Sequence, residues 1–139
     1  MKKILIFTDG GSRGNPGIAG GGYYIEDSSG VVIVEKDFFF GKKTNNESEY
    51  LAFLRAVQWL NSYLKKKKVQ EVVFHLDSKL VVEQINRRWK IKEPRLLELA
   101  QQCWLVLDQI DIKTKILHIK RELNSKADAL ANVAMDRAC

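Results

Sequence analysis

The sequence predicts an α/β domain built on a mixed five-stranded sheet, and three observations predict it. Three strand-like runs follow one another from the N-terminus with turn residues between them, which reads as an antiparallel meander. Helical and strand patterns then alternate, and strands entered through helical crossovers can lie parallel to the first. Two of the runs stop on an aspartate, at Asp9 and at Asp77. The whole order, βββαβααβα, places helices on both faces of the sheet. At 139 residues with 45% hydrophobic content the chain fills one ordinary core, so residues 1–139 are expected to form a single domain.

The first strand covers residues 3–8, with the apolar run Ile4-Leu5-Ile6-Phe7, and ends on Asp9. A glycine-rich turn is expected after it, through Gly10, Gly11, Gly14 and Gly17, where uncovered amides let another backbone come close. A sugar-phosphate chain is one such backbone. Residues 20–26 and 31–40 form the second and third strands about the turn cluster Asp27-Ser28-Ser29-Gly30. Thr44-Asn45-Asn46-Glu47 matches a capping box, and the helix it opens carries Tyr50, Phe53, Leu54, Val57, Leu60 and Leu64 on one stripe. Glu49 lies four residues before Phe53 and shares that side, an unusual position for a carboxylate.

Lys65-Lys66-Lys67-Lys68 closes the helix, where cations suit the negative end of its dipole. The run Glu71-Val72-Val73-Phe74-His75-Leu76 is a short strand that stops at Asp77-Ser78, where the next helix begins with Leu80, Val81, Val82 and Ile85. Residues 86–92 make a basic connector around Trp89, and Pro94 opens a helix through Leu96, Leu97, Leu99, Ala100, Trp104 and Leu107. The last strand is read at residues 115–119. Ser125-Lys126-Ala127-Asp128 starts a terminal helix with Leu130, Val133 and Ala134 expected on its inner stripe.

With 23 Lys and Arg against 17 Asp and Glu, the formal charge of +6 favours a polyanionic partner. Cys103 and Cys139 make no disulfide framework and fit a reducing compartment. The apolar run after Met1-Lys2-Lys3 is too short for a signal segment, and no run is long enough to span a bilayer. A cytoplasmic protein without a membrane partner is therefore expected.

Asp9, Glu49, Asp77 and Asp128 can converge at one edge of the sheet, two from strand ends and two from the first turns of helices. Such a cluster cannot stay fully ionised in a partly dry site without cations, because like charges raise one another's pKa. An all-carboxylate donor set, with no Cys/His spacing for zinc, points to Mg²⁺ or Mn²⁺. Two such ions ~3.5–4 Å apart can clamp the attacking and leaving oxygens of an in-line displacement.

On four segments the chain resembles the type 1 ribonuclease H family over nearly its whole length. These are residues 8–17, from Thr8-Asp9-Gly10-Gly11 to Asn15-Pro16-Gly17, then Thr44-Asn45-Asn46-Glu47-Ser48-Glu49, Asp77-Ser78, and Asn124-Ser125-Lys126-Ala127-Asp128-Ala129-Leu130-Ala131. The resemblance implies the ribonuclease H-like fold and hydrolysis of the RNA strand of an RNA/DNA hybrid, leaving 5′-phosphate and 3′-hydroxyl ends. It implies two Mg²⁺ ions in the substrate complex, with Mn²⁺ as a substitute. Asp9 would bridge both ions, Asp128 would help hold the ion on the water side, and Glu49 with Asp77 would hold the ion on the leaving-group side. Asn15, Asn45 and Asn46, with the amides of Gly10 and Gly11, would meet the minor groove and the ribose 2′-hydroxyls that distinguish RNA from DNA. Thr44 and Asn46, helped by Ser78, would form a pocket for a phosphate of the DNA strand.

Three departures from the family pattern matter. Residues 119–124 carry none of the loop histidine that many members place before the last helix, so the chain looks most like the subgroup lacking it, with His118 followed by Arg121-Glu122. His118 and His75 read as strand residues. Lys79 stands where many relatives have Gln at a minor-groove contact, and the basic protrusion of some members is reduced to the connector from Arg87 to Lys92. A free-standing enzyme is expected, since Met1 leads directly into the first strand, in preference to a piece of a reverse transcriptase polyprotein. Other readings are the same fold also cutting double-stranded RNA, or a catalytically idle hybrid-binding domain. No protein partner is implied.

Overall fold

The computed structural model describes residues 2–138. The readings that touch Met1 and Cys139 fall outside the described residues. In chain order the elements are β1 (Lys3–Gly14), β2 (Gly17–Asp27), β3 (Val32–Lys43), α1 (Asn45–Tyr63), β4 (Glu71–Leu76), α2 (Lys79–Ile85), α3 (Pro94–Leu107), β5 (Lys113–His118), a 3₁₀ turn (Arg121–Leu123) and α4 (Ser125–Arg137). The strands lie in the order β3-β2-β1-β4-β5. β2 runs antiparallel to β1 and β3, whereas β4 runs parallel to β1 and β5. The mixed sheet and the order βββαβααβα are those the sequence predicts.

The glycine-rich stretch corrects that reading. It is not a turn: β1 continues past Asp9 to Gly14 and pairs with β2 through Asp9↔Gly22, Gly10↔Gly21 and Gly11↔Gly20, leaving only Asn15 and Pro16 to reverse the chain. These glycines make room for helices. A Cβ on Gly22 would stand 2.5 Å from Leu130 Cβ, and one on Gly20 3.0 Å from Ala131 O, both in α4. On the opposite face a Cβ on Gly21 would stand 2.9 Å from Ala52 Cβ of α1. Helices thus cover both faces of the antiparallel half of the sheet.

The same contact corrects the inner stripe of α4. Ala127, Ala131, Ala134 and Met135 are buried, while Val133 is 44% exposed and Leu130 is only partly covered. The close approach rests on Ala131, Ala134 and Met135 over Gly20 and on Leu130 over Gly22, so of the expected stripe Val133 alone faces away. On the other face α1 begins with the expected capping box: Glu47 N donates to Thr44 Oγ1 at 3.1 Å, and Thr44 N donates to Glu47 Oε1 at 2.9 Å. Tyr50, Phe53, Val57 and Leu60 of α1 pack with Ile4, Ile6, Ile25, Phe74 and Leu76 of the sheet. α3 closes that layer with Leu96, Ala100 and Cys103.

Candidate functional site

Parallel pairing between β1 and β4 ends at Thr8↔Leu76. Asp9 and Asp77 are therefore each the first residue beyond the last parallel pair, side by side at the carboxyl end of the parallel strands, where open α/β sheets form their crevices. Glu49 arrives from α1. Its Oε1 accepts a hydrogen bond from Gly10 N at 2.8 Å, and the approach requires glycine, since a Cβ on residue 10 would stand 2.2 Å from Ser48 O. Oxygen atoms of Asp9, Glu49 and Asp77 lie within 4.8 Å of one another. Asp128, on the first turn of α4, lines the same cleft and faces Asp9 from outside that tight set.

The electrostatics follow from this packing. Asp9 is buried, and its carboxyl is pushed up to about 8, first by burial and then by the charges of Asp77 and Asp128. Glu49 is held well above the usual carboxylate range, again first by burial and then by Asp9 and Asp77, against the lowering effect of the Gly10 N–H. A cluster that cannot carry its own charge, built only from oxygen donors, is suited to a hard divalent cation.

Around the carboxylates the cleft is lined by Gly10, Gly11, Ser12, Asn45, Arg121 and Asn132. Asn45 Oδ1 accepts from Ser12 N at 2.8 Å, and Asn15 Oδ1 accepts from Asn45 N at 3.0 Å. With both carbonyl oxygens used in this way, the two Nδ2 groups remain as donors toward a ligand. A separate hollow is lined by Asn15, Thr44, Asn46, Glu47, Glu93, Arg95 and Leu96. Ser78, grouped with Thr44 and Asn46 on resemblance, is engaged elsewhere: it caps α2, its Oγ accepting from Val81 N at 3.3 Å. Lys79 is exposed at the start of α2.

Three residues of these surfaces were given no role from the sequence. Arg95, just after Pro94 in the first turn of α3, brings a cation to the second hollow. Arg121 brings one to the carboxylate cleft. Asn124 is buried behind Asp77 and donates to it. Only Asn124 and Arg121 had a signal, each standing in a quoted segment near Asp128. The histidines behave as strand residues: His75 stacks on Phe7 at 4.4 Å with Nδ1 on Ile6 O, burial lowering its pKa, and His118 is exposed at the end of β5. In the exposed connector, Arg87 lies 3.9 Å over the Trp104 ring and Arg88 pairs with Glu83, and Trp89, Lys90 and Lys92 are exposed beside them.

A family model described as reverse transcriptase-like matches residues 7–134. A bifunctional protein of Mycobacterium tuberculosis is 39% identical over 137 residues, which is 98% of this chain and 36% of that protein, so the chain spans a minor part of that relative's length. A ribonuclease H of Ruthia magnifica subsp. Calyptogena magnifica is 31% identical over 152 residues, covering 99% of this chain and 98% of that protein. Among solved structures, an RNase H1 isolated from compost by a metagenomic approach superposes with a TM-score of 0.93 at 40% identity, covering 99% of each chain. The structure of that protein in complex with an RNA/DNA hybrid superposes with a TM-score of 0.91 at 39% identity, covering 97% of this chain and 98% of that one.

Proposed function

The chain belongs to the ribonuclease H family, and on that premise we propose that it hydrolyses the RNA strand of RNA/DNA hybrids, leaving 5′-phosphate and 3′-hydroxyl ends. The observation that carries this reading is the set of three carboxylates within 4.8 Å at the open end of the parallel strands. Asp9, Glu49, Asp77 and Asp128 would hold divalent cations, Mg²⁺ in the first place and Mn²⁺ as a substitute, two of them with substrate bound. Such ions neutralise the cluster, lower the pKa of water and stabilise charge on phosphoryl oxygens. Residues 1–139 act as one ribonuclease H domain in this reading, and a cytoplasmic location goes with it. Among the described residues, no helix is long and apolar enough to cross a membrane.

The other side chains bind and orient. Nδ2 of Asn15 and of Asn45 would donate into the minor groove, with the amides of Gly10 and Gly11 beside them, so that ribose 2′-hydroxyls are read close to the carboxylates. Lys79, exposed at the start of α2, would reach toward the groove from that helix. The hollow at Thr44 and Asn46 would take a phosphate of the DNA strand, with Arg95 supplying positive charge. Ser78, as the cap of α2, steadies the backbone next to Asp77.

Labelled RNA/DNA, RNA/RNA and DNA/DNA duplexes, each with Mg²⁺, Mn²⁺ or a chelator, test the reading. Metal-dependent cleavage of the RNA in the hybrid is expected, and its absence with both metals would overturn the proposal. Cleavage of RNA/RNA as well would widen the substrate class.

Two further results follow from the placement of basic residues. Because Arg87 stacks on the Trp104 ring and Arg88 is paired with Glu83 at the surface, the phosphate contacts of the connector would fall first to Lys90 and Lys92. Replacing both with Ala is expected to flatten the log–log salt dependence of hybrid binding by about one to two units, whereas Arg88→Ala should leave the slope unchanged. Fluorescence anisotropy across a salt series measures this, and equal slopes for wild type and the double variant would leave the connector without a role in binding.

The second concerns pH. With neither histidine on the cleft, the single-turnover rate at saturating Mg²⁺ should rise from neutral into alkaline pH without a limb owed to imidazole. A folded His118→Gln protein should keep the rate within ~3-fold. A loss beyond ~100-fold, ~2.7 kcal/mol of transition-state stabilisation, would move His118 into the machinery.

A further inference from the structure

Asn124 is 1% exposed and stands between the 3₁₀ turn and α4. Ahead of a helix, Asn ordinarily caps by accepting from an amide of the first turn. Here the side chain makes no capping bond, and the backbone at φ −116°, ψ 25° lies outside the extended region that caps use. The side-chain amide turns inward instead. Nδ2 donates to Thr8 O at 2.8 Å and to Asp77 Oδ2 at 3.2 Å, while the buried Oδ1 accepts from none of the described residues. The main-chain carbonyl of Asn124 accepts from Asp128 N at 3.1 Å. One buried residue is thus bonded to the backbone beside Asp9, to the carboxylate of Asp77 and to the turn that carries Asp128.

A buried amide that gives up its cap and leaves an acceptor unsatisfied is a poor device for stability alone. What it secures is Asp77, which lies just past the end of β4 and has no strand ladder to hold it. We propose that Asn124 is a positioning residue for the cation site: it engages one oxygen of Asp77, leaves the other for a cation, and fixes the Asp77 segment against those of Asp9 and Asp128. Hydrogen bonds of this kind from behind a ligand commonly govern metal affinity. The inference rests on the metal-dependent reading given above.

The test is calorimetric titration of the hybrid-free protein with Mn²⁺, together with single-turnover cleavage against Mg²⁺ concentration. The proteins are wild type, Asn124→Ala, Asn124→Ser, and Cys103→Ala in the α3 core as a control for loosened packing. Both Asn124 variants should bind Mn²⁺ ~10-fold or more weakly and need a similarly higher Mg²⁺ concentration for half-maximal rate. The rate at saturating Mg²⁺ and the KM for hybrid should change little, and Cys103→Ala should bind Mn²⁺ as wild type does. A merely structural role would reduce the folded fraction seen by circular dichroism without moving the metal midpoints. Midpoints within twofold of wild type overturn the proposal, and so does failure of both Asn124 variants to fold. If wild type itself binds no Mn²⁺, the metal-dependent reading of the whole site falls and takes this proposal with it.

Discussion

Replacing Asp9 by Asn is expected to lower hybrid cleavage by at least ~10³-fold, ~4 kcal/mol, and at the same time to raise the melting temperature of the metal-free protein. The first effect comes from losing the carboxylate at the centre of the cluster, packed against Glu49, Asp77 and Asp128. The second comes from linkage. In the unfolded chain an Asp ionises near pH 4, whereas folded, metal-free Asp9 keeps its proton up to about 8. Below both values the group is protonated in either state and does not affect the balance. Between them the unfolded state gives up the proton while the folded state retains it, so stability falls as pH rises, and the loss is complete above the folded value. Asn carries no charge and removes that slope.

In chelator at pH 8 the Asp9→Asn protein should therefore melt ~3 °C or more above wild type. Saturating Mg²⁺ should raise the wild-type melting temperature and that of the variant much less. Binding of hybrid should change little, because Asn15, Asn45 and the Thr44 hollow are untouched. Thermal melts with and without chelator, single-turnover cleavage and anisotropy decide the matter. Cleavage within tenfold of wild type would remove Asp9 from the centre of the mechanism, and equal melts in chelator would remove the charge argument.

Gly10→Ala is expected to damage folding and activity together, although it adds a single methyl group. Its Cβ would lie 2.2 Å from Ser48 O, 2.3 Å from Ser48 C and 2.7 Å from Glu49 N, all of them main-chain atoms that no rotamer change can move aside. Relief requires α1 to withdraw from β1. That breaks the Gly10 N–H bond to Glu49 and draws Glu49 out of the carboxylate set. A loss of ~3 kcal/mol, ~10 °C in melting temperature, is expected, with a fall in cleavage rate of ~100-fold or more. Gly11→Ala is the contrast, because its Cβ would sit 3.4 Å from the flexible end of Met135 and should be tolerated. Melts of the two variants side by side check the argument. A Gly10→Ala protein as stable as Gly11→Ala would show that α1 yields without cost.

The local and periodic features were legible in the sequence. The capping box at Thr44 and Glu47, the apolar stripe of α1 and the strand at residues 71–76 each depend on neighbours a few residues away, so their physics is written in the spacing. The four acidic positions were legible too, because carboxylates just past a strand or on the core side of a helix cost free energy unless something answers them. The sequence could not show what the glycines of residues 10–22 are for. Gly10 and Gly11 read as part of a turn and Gly20 to Gly22 as the start of a strand, yet the structure uses these five as a floor for two helices, a purpose that appears only when α1 and α4 lie on opposite faces of the same strands. The inner face of α4 departs from simple periodicity for the same reason: Val133 is left exposed, while Ala131, Ala134 and Met135 meet Gly20 and Leu130 meets Gly22. Asn124 was read as the residue before a helix, and its bonds to Thr8 and Asp77 span 116 and 47 residues. Periodicity reports which face of an element is apolar. How near two backbones come, and which buried polar group finds which partner across the chain, are decided by steric and hydrogen-bonding constraints that exist only once the elements have packed.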